Sequence, residues 1–166
     1  SSAFTAGETV DGFLLNATST VAGVDYGSLL PGTRYLAAQQ FDFSTNATEG
    51  YQVLVYADGQ LRSSFGESIP AVTGTNDSPS SWDGGCGAIQ TGCFGYHTSD
   101  DTLIGGSVRF AAQDTFAAFR TTPEEVFYSS IPGDETHSMV YSIEIGDLQP
   151  AGDYVTTLTY IVVPVF

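Results

Sequence analysis

The sequence predicts an all-β chain: a single antiparallel β-sandwich of Ig-like or jelly-roll type, with one long disulfide-pinned loop. Three observations predict it. The composition suits pleated surfaces, with 11 Phe and 9 Tyr alongside many Val and Thr. Short apolar runs recur, separated by Gly- and Pro-containing turns. Helical periodicity is nearly absent; the best helical window, Phe110 to Phe119, is interrupted by Gln113-Asp114-Thr115.

The runs follow in order. Val10–Ala17 and Ser19–Tyr26 open the chain. Tyr35–Ser44 follows the corner Pro31-Gly32, and Tyr51–Ala57 ends at Asp58-Gly59. Ser107–Ala112, Thr115–Thr121 and Val126–Ser129 precede Pro132-Gly133-Asp134. Ser138–Ile145 alternates most clearly, with Met139, Tyr141, Ile143 and Ile145 on one face and Val140, Ser142 and Glu144 on the other. Tyr154–Phe166 closes the chain after Pro150-Ala151-Gly152-Asp153, and its apolar residues on both faces predict pairing on both sides. Eight to ten strands of this kind make one domain, and 166 residues suffice for a core. Residues 66–106 are rich in Gly, Ser, Thr and Asp and read as a long decorated loop.

Cys86 and Cys93 are the two cysteines. Without a zinc-like histidine nearby, they predict a disulfide, and hence an oxidising, extracellular setting with a signal segment already removed before Ser1. Sequons at Asn16, Asn46 and Asn76 agree with that location and are candidate glycosylation sites. No stretch is long and apolar enough for a membrane span.

Charge excludes one partner class. There are 19 acidic residues against four arginines and no lysine, a formal −15. Nucleic acid, which needs Lys and Arg to neutralise phosphates, is not a partner of such a surface. Enzyme chemistry finds no footing either. His97 and His137 belong to no metal or triad pattern, no Gly-x-Ser-x-Gly elbow occurs, and no lysine is available. The pairs Asp100-Asp101 and Glu124-Glu125 are adjacent in sequence, which sends their side chains to opposite faces of a strand. The expectation is a protein without enzymatic activity and without a resident cofactor. Calcium is the one metal the sequence suits, at Asp77, Asp83, Asp100 and Asp101, whose loops offer hard oxygen ligands without an EF-hand pattern.

Both ends are apolar. Residues 1–17 read either as a first strand or as an arm donated to a neighbouring copy, with Val10, Phe13, Leu14 and Leu15 as its plugs, ahead of a sandwich domain over 18–166. The matching acceptor groove is expected beside the C-terminal run, lined by Tyr154, Leu158, Tyr160, Val162 and Phe166. Donation from copy to copy is a non-closing contact and makes a filament. An alternative is a surface adhesin or carbohydrate-binding domain that uses Trp82, Phe94 and Tyr96 as an aromatic platform for glycans; the bland counterpart is that these rings cap one end of the sandwich. A second alternative is a calcium-stabilised surface-layer module.

Two stretches carry a resemblance. Val24-Asp25-Tyr26-Gly27-Ser28-Leu29-Leu30-Pro31-Gly32, with Phe41-Asp42-Phe43-Ser44-Thr45-Asn46 and Gly50-Tyr51-Gln52-Val53, resembles the opening of secreted spore-coat-U-type pilin domains. Ala151-Gly152-Asp153-Tyr154-Val155-Thr156-Thr157-Leu158-Thr159-Tyr160 resembles their closing strand. TasA-like biofilm fibres and archaeal bundling pili are similar in kind. The resemblance implies a β-sandwich subunit of an extracellular filament or pilus, polymerising with copies of itself by donor-strand complementation in cell adhesion or biofilm. The chain departs from the pilins at Ser44 or Asn46, where they often carry a first cysteine.

Overall fold

The computed structural model of the chain describes residues 5–10, 13–86, 92–104, 106 and 108–166; of residues 5–10 and 13 it describes the backbone alone. The strands are β1 (Thr5–Val10), β2 (Phe13–Ser19), β3 (Arg34–Thr45), β4 (Tyr51–Ala57), β5 (Leu61–Ser63), β6 (Ser68–Ile69) and β7 (Ser80–Ser81), then β8 (Cys93–Thr98), β9 (Thr115–Phe116), β10 (Glu124–Ser129), β11 (Gly133–Glu144), β12 (Tyr154–Val155) and β13 (Leu158–Pro164). A single turn of helix, α1 (Trp82–Cys86), precedes β8.

Alternation builds the sandwich. In β4, Tyr51, Val53, Val55 and Ala57 are buried while Gln52, Leu54 and Tyr56 are half-exposed, so one face turns to the core. β3 does the same with Phe41 and Phe43, and β11 with Met139, Tyr141 and Ile143. Two main sheets face each other, the larger of order β1-β2-β3-β11-β8 and the smaller of order β10-β4-β13, with two short sheets, β12-β5-β6 and β7-β9, beside them, all antiparallel. Their inner faces meet through aromatic rings. Phe41 lies 4.9 Å from Tyr160 and 5.4 Å from Phe127, and Phe43 lies 4.8 Å from Tyr51, ring centre to ring centre. Those separations are the favourable range for offset and tilted pairs. One left-handed glycine is structurally demanded: Gly50 has φ 74°, and a β-carbon there would sit 2.2 Å from the Ser129 carbonyl oxygen.

The structure is the expected antiparallel sandwich, with local departures. The opening run divides: β1 and β2 pair antiparallel, with Val10 opposite Phe13. The run Ser19–Tyr26 is not a strand. Ser19 Oγ (2.9 Å) and Gln39 Nε2 (2.7 Å) both donate to the Val21 carbonyl and turn the chain aside. Val24, Tyr26 and Leu29 then pack on the core from an irregular segment. Ser107 lies outside the described residues, and the rest of Ser107–Ala112 is not a strand either, since Phe110 has φ 58°. Of Thr115–Thr121 only Thr115–Phe116 is extended in a named strand.

Residues 66–106 are not one loop. They contain β8, which pairs with β11 from Thr98 opposite Met139 to Cys93 opposite Glu144. The closing run breaks at Thr156–Thr157, where the Asp58 carboxylate accepts from Thr156 Oγ1 (2.9 Å) and Thr157 N (3.0 Å). Tyr154–Val155 joins β5 instead. β13 is consequently not paired on both sides: its one partner among the described residues is β4.

Candidate functional site

The two main sheets have four edge strands between them, β1, β8, β10 and β13, and each exposes backbone donors and acceptors unless something covers it. At β8, the Val72 amide donates to the Phe94 carbonyl and the Phe94 amide to that of Pro70, both at 2.9 Å. Tyr96 and Ala117 exchange a further pair at 2.9 and 2.8 Å. At β10, side chains do the covering. Asn76 Nδ2 donates to Glu125 O (2.7 Å), Thr98 Oγ1 to Val126 O (3.0 Å), and Tyr128 N to Asp100 Oδ2 (2.7 Å). These two edges are closed by the chain itself. β1 and β13 have no strand beyond them among the described residues.

β13 is the better furnished of the open edges. Leu158, Tyr160 and Val162 pack on the core. Ile161 and Val163 on its other face are 37% and 38% exposed. The Tyr160 hydroxyl lies 2.7 Å from that of Tyr141, which donates to Gln39 Oε1 at 2.7 Å. Burial pushes the Tyr141 phenol up to about 12 and that of Tyr160 well above its ordinary value, so this contact stays a neutral hydrogen-bonded chain. Asp58 fixes the start of the strand, and its carboxyl is held below the usual range, first by the Thr157 amide and then by the Thr156 hydroxyl. The end is fixed by Val165, which donates to Gly50 O (3.0 Å) and accepts from Glu49 N (3.1 Å).

The structure thus brings together three of the five expected acceptor residues, Leu158, Tyr160 and Val162. Tyr154 lies on β12, where its hydroxyl donates to Pro150 O (2.8 Å) and accepts from Gln149 Nε2 (2.6 Å). Phe166 is 63% exposed beyond the strand. In the expected arm, β2 pairs with β3 of the same chain over Leu15–Ser19. Leu15 packs on the core, while Leu14 is 44% exposed and its amide donates to Asn46 Oδ1 at 2.6 Å. The side chains of Val10 and Phe13 lie outside the described part of the molecule. In the single chain, then, the arm occupies its own sheet.

Other expected sites divide sharply. The Cys86–Cys93 disulfide is present. Trp82, Phe94 and Tyr96 are no surface platform: they are 3%, 9% and 0% exposed. The Trp82 face stacks under Arg34 at 4.6 Å, and its indole N–H donates to Glu144 at 3.1 Å. Asn76 is 3% exposed, which leaves no room for a glycan, whereas Asn46 is exposed and Asn16 half-exposed. Asp77, Asp83, Asp100 and Asp101 do not converge. Asp77 pairs with Arg109 at 3.3 Å, Asp101 accepts from Thr102 Oγ1 at 3.0 Å, and no group of three metal-ligating side chains occurs among the described residues. His97 Nδ1 meets the Thr115 carbonyl at 2.9 Å, and His137 Nε2 meets Tyr51 and Glu135 at 3.0 and 3.3 Å. Glu125 is buried against Arg109 and also receives the side chain of Gln52 and the Ile104 amide.

The closed edges carried little signal in sequence, because Asn76, Thr98 and Asp100 act through bonds to strand β10, 28 or more residues away along the chain. No protein-family model and no curated protein matches the chain.

Proposed function

We propose that the chain is a structural subunit of an extracellular filament, joined copy to copy by strand addition at the open sheet edges. The carrying observation is the asymmetry of the main-sheet edges: β8 and β10 are capped by the chain's own groups, while β13 has no second partner among the described residues and bears apolar side chains on both faces. Natural sandwiches blunt exposed edges with Lys, Pro or bulges. β13 has no charged residue, and its one proline, Pro164, ends it. A strand from a second copy would extend the smaller sheet, drawing affinity from main-chain bonds and specificity from the alternate pockets at Leu158, Tyr160 and Val162. The N-terminal pair β1–β2 is the donor in this reading. It is seated beside β3 of its own larger sheet in the lone chain, and donation moves it to the β13 edge of a neighbour. The contact is heterologous, so it lengthens rather than closes. The disulfide agrees with an extracellular site.

Truncation supplies the test. Removal of residues 1–17 takes away β1 and all four expected plugs, Val10, Phe13, Leu14 and Leu15. Electron microscopy is expected to show filaments from the full chain and isolated particles from the truncated one. Filaments of normal length from the truncated chain would refute the donor role. A second readout uses Asn16→Cys with Ser44→Cys, Cα partners across β2 and β3. Oxidised in the lone chain, this pair locks the arm on its own sheet and is expected to abolish filaments; filaments of normal length from the locked chain would show that the arm is not donated.

A further inference from the structure

The turn between β5 and β6 carries the most exposed large apolar side chain described: Phe65 is 85% exposed. Arg62 on β5 lies opposite Val155 of β12, itself 71% exposed. Cations are scarce in this chain. Arg34 pairs with Asp114, and Arg109 with Asp77 and Glu125. Arg62 has no ion pair among the described residues. An exposed apolar ring and an exposed, unspent cation thus lie close together in sequence on the β5–β6 hairpin.

Its chemical complement lies elsewhere on the same molecule. A cleft of about 450 Å³ is lined by Trp82, Ile145 and Leu148 together with Asp83, Glu144 and Asp147. Its size is in the range of pockets that enclose a ligand of several rings. Leu148 at this cleft is 64% exposed, and neither Asp83 nor Asp147 has an ion pair among the described residues. Apolar walls with unpaired carboxylates suit an aromatic ring accompanied by a guanidinium.

We propose that the Phe65 tip of one copy docks into the Trp82–Leu148 cleft of a second copy, with Arg62 meeting Asp83 and Asp147. The contact is separate from the β13 edge and does not depend on it. An exposed apolar residue that fits a pocket elsewhere on the same molecule is the arrangement that drives self-association. The charge pairing selects this cleft on a surface that otherwise repels its own kind.

The test is sedimentation of folded protein cleared of filaments, at low salt, over a range of concentrations, with a melting curve for each variant. The wild type is expected to associate reversibly. Phe65→Ser is expected to weaken association at least about tenfold, as loss of a central aromatic anchor does. Arg62→Glu and Asp147→Arg are each expected to associate at least about tenfold more weakly than wild type. A mixture of the two is expected to recover, because each then offers the other an opposite charge. Arg120→Glu, which changes net charge as Arg62→Glu does, is expected to leave association unchanged. A wild type that stays monomeric at every concentration overturns the proposal. So does a mixture that associates no better than its components, or an Arg120→Glu loss equal to that of Arg62→Glu. Monomeric protein in sedimentation beside normal filaments would defeat this contact and leave the edge reading intact; the reverse result would do the opposite.

Discussion

Asp100 shows how one acid among many acquires a structural task. It is 8% exposed. Its Oδ2 accepts from Tyr128 N (2.7 Å) and its Oδ1 from Thr102 N (3.2 Å). Burial lifts its carboxyl above the ordinary range, against the opposing pull of the Tyr128 amide and His137. The sign of the pH effect follows. A raised pKa means the folded state binds its proton more tightly than the unfolded chain does. This group's contribution is therefore most favourable in acid and declines as pH rises from the ordinary aspartate value through the folded one. Asp100→Asn keeps one acceptor but turns an amide toward Tyr128 N. It is expected to destabilise by about 1–3 kcal/mol in urea unfolding. It should also flatten the pH dependence of the midpoint just above the ordinary aspartate range; an unchanged midpoint would show that the bond to β10 carries no net stability. The sequence makes Asp100 and Asp101 look alike. Only the packing of Thr98 and Tyr128 around the first, and solvent around the second, tells them apart.

At the scale of elements, β3, β4 and β11 were legible because their alternation is unbroken: Val53, Val55, Phe41, Phe43, Tyr141 and Ile143 fall where the period places them. β8 was not legible. Its neighbours are Gly-rich, and its residues are buried on both faces, so Cys93-Phe94-Gly95-Tyr96 shows no polar side. Gly95 is there because a β-carbon would meet Val72 Cγ2 at 2.7 Å. The break in the closing run was hidden for another reason: Thr156 and Thr157 suit strands, and a carboxylate far away in sequence claims them. The Cys86–Cys93 bridge spans a sequence separation of 7 and anchors α1 to the start of β8. In the chain-entropy account, closing so short a loop is worth about 2.5 kcal/mol. The double change Cys86→Ser, Cys93→Ser is expected to lower the unfolding free energy by about that amount while far-ultraviolet circular dichroism keeps its strand signature. Loss of the signature would mean that β8 needs the bridge to form at all.

The whole molecule is governed by its charge. With a formal −15 and four arginines, two of them engaged in internal pairs, self-repulsion opposes both the compact state and the approach of copies. Salt screens it, since the Debye length falls from about 30 Å at 0.01 M to about 3 Å at 1 M. The melting temperature is therefore expected to rise between 0.01 and 1 M sodium chloride, by about 3 °C for each kcal/mol of repulsion relieved. Filament growth should quicken over the same range. A melting temperature that falls with salt would show that attractive pairs outweigh repulsion. The antiparallel class and the two-sheet plan were legible at this scale, because composition and turns act everywhere at once; which edges stay open was not, because it depends on a handful of side chains meeting strands far away in sequence.

Those sealed edges bear on shape. β8 and β10 lie on one flank, tied by Thr98 and Val126, so β1 and β13 share the other. If copies join by strand addition as proposed, one open flank would lengthen a cord and would not spread a plate.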